Sequence, residues 1–166
     1  MITTIAKEDI QETAKILREY WKERGMEYTQ QWAESYLRKG HAKEIKQDVT
    51  LTLKEGAAVV GVVAVVLHEG DLAELRDLVV RKGYRGKGYG EQLVRAALDF
   101  CFKNNARKII ALVFPQHEEF FARFGFTREG YLRSHFKDNE DLVVMGRIVQ
   151  HEAQADLRSK LEDLSL

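Results

Sequence analysis

Two carboxylates three residues apart, Glu74 and Asp77, sit in the apolar stretch "LAELRDLVV", and eleven residues after Glu74 comes Arg85 in the loop "RKGYRGKGYG". That loop packs four cationic side chains and four glycines into ten residues and then runs into "EQLVRAALDF", whose apolar residues recur at helical spacing. A loop that opens a helix aims unpaired backbone N–H groups and the positive end of the helix dipole at one point, which suits a phosphate. Gly86, Gly88 and Gly90 let the backbone approach closely and take positive φ, and Arg85 and Lys87 add charge beside it. The spacing excludes the two commonest phosphate loops. A Walker loop needs Gly-Lys-Ser/Thr, and here Gly86-Lys87 is followed by Gly88; a dinucleotide fingerprint needs a third glycine where this chain has Glu91.

A strand-borne carboxylate suits a general base, and partial burial makes it a better one by raising its pKa. The two such carboxylates here are Glu74 and Asp77. In a regular strand the two point to opposite faces, so at most one faces a substrate unless a bulge intervenes. The structural alternative for Glu74 is an ion pair with a neighbour such as Arg76. None of His68, His117 and His135 has a partner at metal-ligand spacing, so no catalytic metal is expected, and His117 reads as a solvated loop residue.

The elements that must position these groups can be read from periodicity. Ile2–Ile5 reads as a short strand, residues from Asp9 to near Gly25 as a helix, and Thr29 as the N-cap of a second helix bearing Trp32, Ala33, Tyr36 and Leu37 and ending before Gly40. "VTLTL", "AAVVGVVAVVL" and "LAELRDLVV" read as three successive antiparallel strands. The helix after the glycine-rich loop stops at "KNN", "KIIALVF" reads as a buried strand, and "HEEFFARFGF" as a short helix closed by Gly125. "YLRSHF" and "LVVMGRIV" form a last hairpin, and Val149, Ala153, Leu157, Leu161 and Leu164 line one face of a tail helix over 150–166, suited to packing on its own domain (1–149) or on a twin subunit. The order predicts an α+β fold with a mixed, mostly antiparallel central sheet flanked by helices in three layers.

Composition narrows the function classes. Lys plus Arg and Asp plus Glu balance at 26 each, so no global field draws the chain to nucleic acid or an anionic membrane. The longest apolar run, 57–67, is too short for a membrane-spanning helix, and the start "MITTIAKEDI" has no secretory pattern. The single cysteine, Cys101, excludes a disulfide framework within the chain and reads as a core residue, so the cytoplasm is the expected compartment.

The stretch Arg85-Gly86-Lys87-Gly88-Tyr89-Gly90 matches Arg/Gln-x-x-Gly-x-Gly/Ala, and with "FFARFGF" and the element order from Ile2 to Val149 it resembles the GNAT superfamily of acyl-coenzyme A-dependent N-acyltransferases. The resemblance implies transfer of an acetyl group from acetyl-CoA to a primary amine of a small molecule or protein. It implies that the amides from Arg85 to Gly90 hold the pyrophosphate, that Leu78, Val79 and Val80 pair with the pantetheine arm, and that the Val80 amide polarises the thioester carbonyl. It also implies that Glu74 is the general base, with Asp77 as runner-up, that the strands containing Val79 and Ile110 splay, and that Phe121 lies against the coenzyme. Many members have a tyrosine at the position of Phe121 to protonate the leaving thiolate; Tyr131 and Tyr84 are the substitutes considered. The asparagine often found at that helix start is absent from "FPQHEEF". Phe121 makes a catalytically silent, coenzyme A-binding sensor the competing reading. Acceptor contacts are expected from the first two helices and the last hairpin, with Glu118, Glu119, Asp138, Glu140 and Asp141 as a candidate acidic rim.

Overall fold

The computed structural model of the protein describes residues 1–39 and 45–149. The expected tail helix over 150–166 and the helix stop at Gly40 lie outside the described residues.

Seven strands form one sheet: β1 (Ile2–Thr4), β2 (Ile45–Glu55), β3 (Ala58–His68), β4 (Leu72–Val80), β5 (Lys108–Val113), β6 (Thr127–Lys137) and β7 (Glu140–Ile148). Their order is β1-β2-β3-β4-β5-β7-β6. Every pairing is antiparallel except that of β4 with β5, which the connecting helix makes parallel. Four helices flank the sheet: α1 (Ile10–Glu23), α2 (Gln30–Lys39), α3 (Tyr89–Lys103) and α4 (Glu118–Ala122). The predicted α+β architecture and its element order are present.

Local chemistry explains the boundaries. Thr29 caps α2, its Oγ1 accepting the Trp32 amide at 3.1 Å. Gly125 closes the α4 segment at φ +78°. β2 and β6 start earlier than the apolar pattern indicated, at Ile45 and Thr127, because their added residues are mostly solvent-facing and carry no alternating signal.

β3 is buried from Val59 to Leu67 and divides the core. Val60, Val63, Val65 and Leu67 join Leu93, Val94, Ala97 and Cys101 of α3. Val59 and Val62 join Ala14, Ile16, Leu17 and Trp21 of α1, with Ala33 of α2. Strict alternation would place Val60 and Val62 on one face; the register shift between Leu53 and Lys54 of β2 inserts a residue in β3 and changes the parity. Gly61 lies at that irregularity, where an added Cβ would stand 2.8 Å from Leu93 Cδ1 and 3.2 Å from the Val79 carbonyl oxygen. A larger residue there would overpack α3 against β4, at about 1–3 kcal/mol.

Candidate active site

The position of the site follows from how far two strands stay paired. β4 and β5 are in register from Leu72↔Lys108 to Leu75↔Ala111, and beyond Ala111 they part. On its other edge β4 stays with β3 to Gly61↔Val80, but through a bulge: Val62 opposes Val79 and Ala64 opposes Arg76, so Asp77 and Leu78 together face Val63. Asp77 takes the left-handed conformation, φ +49°, which aspartate tolerates better than most residues. The bulge is the condition under which both carboxylates can face one space, and Glu74 and Asp77 both line the cleft that opens there.

The cleft has a volume of about 660 Å³. Tyr20 and Trp21 line it from α1, Gly90, Phe120 and Phe121 from the α3 and α4 side, Phe114 from just past the end of β5, and Phe136 and Leu142 from β6 and β7. It therefore passes through the sheet where β4 and β5 separate. Leu78, Val79, Val80 and Arg85 also line it, joining the unpaired edge of β4 to the start of the glycine-rich loop.

The orientation of the Val80 backbone follows from its pairing. The Arg81 amide donates to the Val60 carbonyl at 2.9 Å, which makes Gly61↔Val80 a non-hydrogen-bonded pair. The Val80 N–H and C=O consequently point away from β3, into the gap left by β5. Arg85 Nε donates to the Val80 carbonyl oxygen at 2.9 Å on that same edge. The sequence-predicted oxyanion donor thus has a direction: it faces the cleft.

The loop that follows presents backbone more than side chains. Gly86 and Gly88 have φ +78° and +79°, and a Cβ at either would meet nothing within 4 Å. These glycines are there for conformation and not for close packing. Gly88 is the N-cap of α3 and no side chain caps the helix, so its first N–H groups are left for a ligand. The cations behave less simply. The Arg85 guanidinium folds back to Val80 and to Glu23, 3.2 and 3.3 Å from Glu23 Oε2, and the Lys87 ammonium lies 5.2 Å from the centre of the Tyr84 ring. Phosphate recognition here would rest on the backbone first.

On the α1–α2 side of β4 the polar groups are paired. Arg76 donates to Glu74 Oε2 at 2.7 Å, and His68 Nε2 lies 3.4 Å from the same oxygen. The ion pair foreseen as the structural alternative for Glu74 exists, with both contacts made to one carboxylate oxygen. Tyr36 donates its hydroxyl to Asp77 Oδ2 at 2.6 Å; burial foremost, then the Asp77 charge, pushes that phenol far above its ordinary pKa.

Two residues, His117 and Tyr20, reach the cleft beyond their reading in the sequence, and Phe121 stands where it was expected. His117 lines the cleft instead of lying free in a loop; burial, then the Arg24 charge, pulls its pKa down and favours the neutral imidazole. Tyr20 lines the cleft too, and nothing in the sequence pattern separates it from the other apolar positions of α1. Phe121 is 5% exposed and packs with Phe120 and Phe126 while lining the cleft, so the tyrosine position is occupied by a side chain with no proton to give.

Several predicted residues are not brought to the cleft. Tyr131 is 47% exposed on β6 and donates to Asp141 Oδ2 at 2.5 Å. Tyr84 packs beside Tyr89, their ring centres 6.4 Å apart. Of the acidic rim, Glu118 is bound to Arg128, and Asp141 to Tyr131 and the Ser134 amide. Cys101 is fully buried, and burial pushes its thiol up to about 12. Among the described residues, no cluster of three or more His, Cys, Asp or Glu could hold a metal ion, and no helix is long and apolar enough to cross a membrane.

Residues 10–126, well over half of the chain, match the family model described as "Acetyltransferase (GNAT) family". The chain belongs to that family. A Bacillus subtilis (strain 168) protein, provisionally named a ribosomal protein bS18-alanine N-acetyltransferase, is 28% identical over 79 residues, which are 45% of this chain and 52% of that protein. The match thus spans about half the length of that relative. Among solved structures, an aminoglycoside 6'-N-acetyltransferase complexed with coenzyme A superposes with a TM-score of 0.75 at 14% identity, over 91% of this chain and 98% of the other. A ribosomal-protein-alanine N-acetyltransferase from Brucella melitensis gives 0.72 at 20% identity, over 90% and 99%. At those identities the superpositions show that the fold is the family's fold.

Proposed function

We propose that the protein transfers an acetyl group from acetyl-CoA to a primary amine. One observation carries the reading: where β4 loses β5, the Val80 amide, the glycine-rich start of α3 and the cleft lie along one edge. An extended pantetheine arm fits there as a replacement strand beside Leu78, Val79 and Val80. The amides from Arg85 to Gly90, with Gly86, Lys87, Gly88 and Tyr89 between them, hold the pyrophosphate. The Val80 N–H then donates to the thioester oxygen, where charge grows in the transition state.

Attack needs a neutral amine, so a proton must leave. Glu74 takes it, directly or through water, at the carboxylate oxygen that Arg76 and His68 do not contact. Glu74→Gln then lowers turnover and spares acetyl-CoA affinity; equal loss of both would make the glutamate a structural ion-pair partner. The relatives named above act on acceptors as different as a ribosomal protein and an aminoglycoside, so the acceptor is stated only as an amine. A cytoplasmic setting and a homodimer go with this reading.

A second reading has one observation behind it. Phe121 cannot protonate a thiolate, as a silent coenzyme A-binding module would require. Calorimetric titration with acetyl-CoA, with ADP as a control for the phosphate contacts, tests the donor site. An amine panel then separates the two readings. Micromolar binding that ADP does not reproduce, followed by thiol release with some amine, supports the enzyme; binding without release to any amine supports the module. Absence of binding would remove both.

A further inference from the structure

We propose that Tyr20 is a catalytic residue whose hydroxyl hydrogen-bonds the departing coenzyme sulfur and gives it a proton. The proposal rests on the acetyltransferase reading above, because it needs the thioester at the Val80 amide. Among the described residues that line the cleft, Tyr20 is the one bearing a hydroxyl group. Tyr131 and Tyr84, the substitutes the sequence offered, do not line it.

Placement supports the role. α1 packs on β4, and Tyr20 lies against the cluster that contains Val79. Its phenol feels Asp77 at the bulge of β4, Arg24 one turn along its own helix, and Arg85 at the mouth of the glycine-rich loop. The Arg85 side chain is held on the Val80 carbonyl oxygen. Tyr20 shares the cleft with Asp77, Leu78, Val79 and Val80, the stretch of β4 whose outer edge is open. His117 flanks the same space from the α4 side, next to Arg24.

The surroundings suit a group that keeps its proton until late. Burial is the largest influence and holds the phenol above its ordinary range; Arg24 opposes it, Asp77 adds to it, and Arg85 opposes it. At neutral pH Tyr20 is therefore a donor, and Arg24, whose charge and hydrogen bond oppose the effect of burial, can stabilise a transient phenolate.

The atoms balance as follows. The amine, whose ammonium proton has already passed through Glu74 to solvent water, forms a bond from nitrogen to the thioester carbon and loses a second proton to Glu74. Collapse of the tetrahedral adduct breaks the C–S bond, and its electron pair stays on sulfur. Sulfur takes the Tyr20 proton, and the phenolate regains one from the water that carries off the proton held by Glu74. The amine proton thus ends, in sum, on coenzyme A.

The test needs no acceptor. Wild type and Tyr20→Phe are titrated by calorimetry with coenzyme A and with desulfo-coenzyme A at pH 8 and at pH 10, so that more of the coenzyme sulfur is ionised in the second series. Thermal melts check that the variant folds. The expected result is a loss of coenzyme A affinity of ~3–10-fold in Tyr20→Phe, the size of one hydrogen bond, with desulfo-coenzyme A unaffected. Equal weakening of both ligands would make Tyr20 a packing residue and overturn the proposal, as would no weakening of either. A variant that fails to fold is replaced by Tyr20→Met, with the same ratio of the two ligands as the readout. If wild type binds neither ligand, the donor-site reading itself falls and takes this inference with it.

Discussion

The two sides of the cleft are made of different material. The proposed donor side is backbone: the Val80 amide, the glycines of the loop and the uncapped N–H groups of α3. The acceptor side is side chains, brought from α1 (Tyr20, Trp21), β4 (Glu74, Asp77), the segment just past β5 (Phe114) and β6 (Phe136). A backbone site depends on conformation, so few residue types satisfy it and they cluster in sequence. A side-chain site depends on what five separate segments place at one point, and each segment by itself reads as core or surface.

The largest effect expected from this division is on the donor side. Gly88→Glu puts a Cβ on a φ of +79° and a carboxylate beside the pyrophosphate. Losing about two charge-assisted hydrogen bonds lowers acetyl-CoA affinity by ~10²–10⁴-fold, while the melting temperature falls only modestly because the added side chain meets open space. Calorimetry with a thermal melt checks both; retained affinity would return the loop to ordinary surface.

On the acceptor side, Glu74→Gln should cut kcat by ~10²-fold and leave the dissociation constant for acetyl-CoA unchanged. Removing Arg76 as well distinguishes base from ion-pair partner. If Glu74 is structural, Glu74→Gln and Arg76→Ala should lower stability together and kcat little.

A smaller effect sharpens the claim that donor recognition is carried by backbone. Lys87→Ala should weaken acetyl-CoA by only about 2–5-fold, the share of one exposed charge, with the difference shrinking in high salt. A loss as large as that from Gly88→Glu would mean that side-chain charge, not backbone geometry, holds the coenzyme.

The smallest effect concerns His117. Its pKa is depressed in the folded chain, so as pH falls below the ordinary value of 6.5 the unfolded state takes up a proton first. The stabilising share of the neutral imidazole is present above that value and lost as pH falls toward the lowered one. Between pH 7 and 5 the wild type should lose more melting temperature than His117→Gln; identical slopes would return His117 to the solvated loop that its sequence context suggested.

Some of this was legible in advance. The helix and strand order followed from periodicity, the cap at Thr29 and the stop at Gly125 from residue type, and the positive φ at Gly86 and Gly88 from glycines at a helix start. These are properties of a few neighbouring residues, and their physics is local. The edges of β2 and β6 were missed for the converse reason: solvent-facing strand residues carry no hydrophobic period.

What the sequence determined by itself is the conformation of its donor loop, because positive φ at Gly86 and Gly88 and a helix start without a side-chain cap are decided within a few residues. What only the tertiary structure decided is everything that depends on where strands part. The parting of β4 and β5 beyond Ala111, the bulge that turns Asp77 into the space used by Glu74, and the arrival of Tyr20 and His117 from opposite sides are all consequences of register between distant segments. Register is set by packing across the whole sheet, and no window of neighbouring residues contains it.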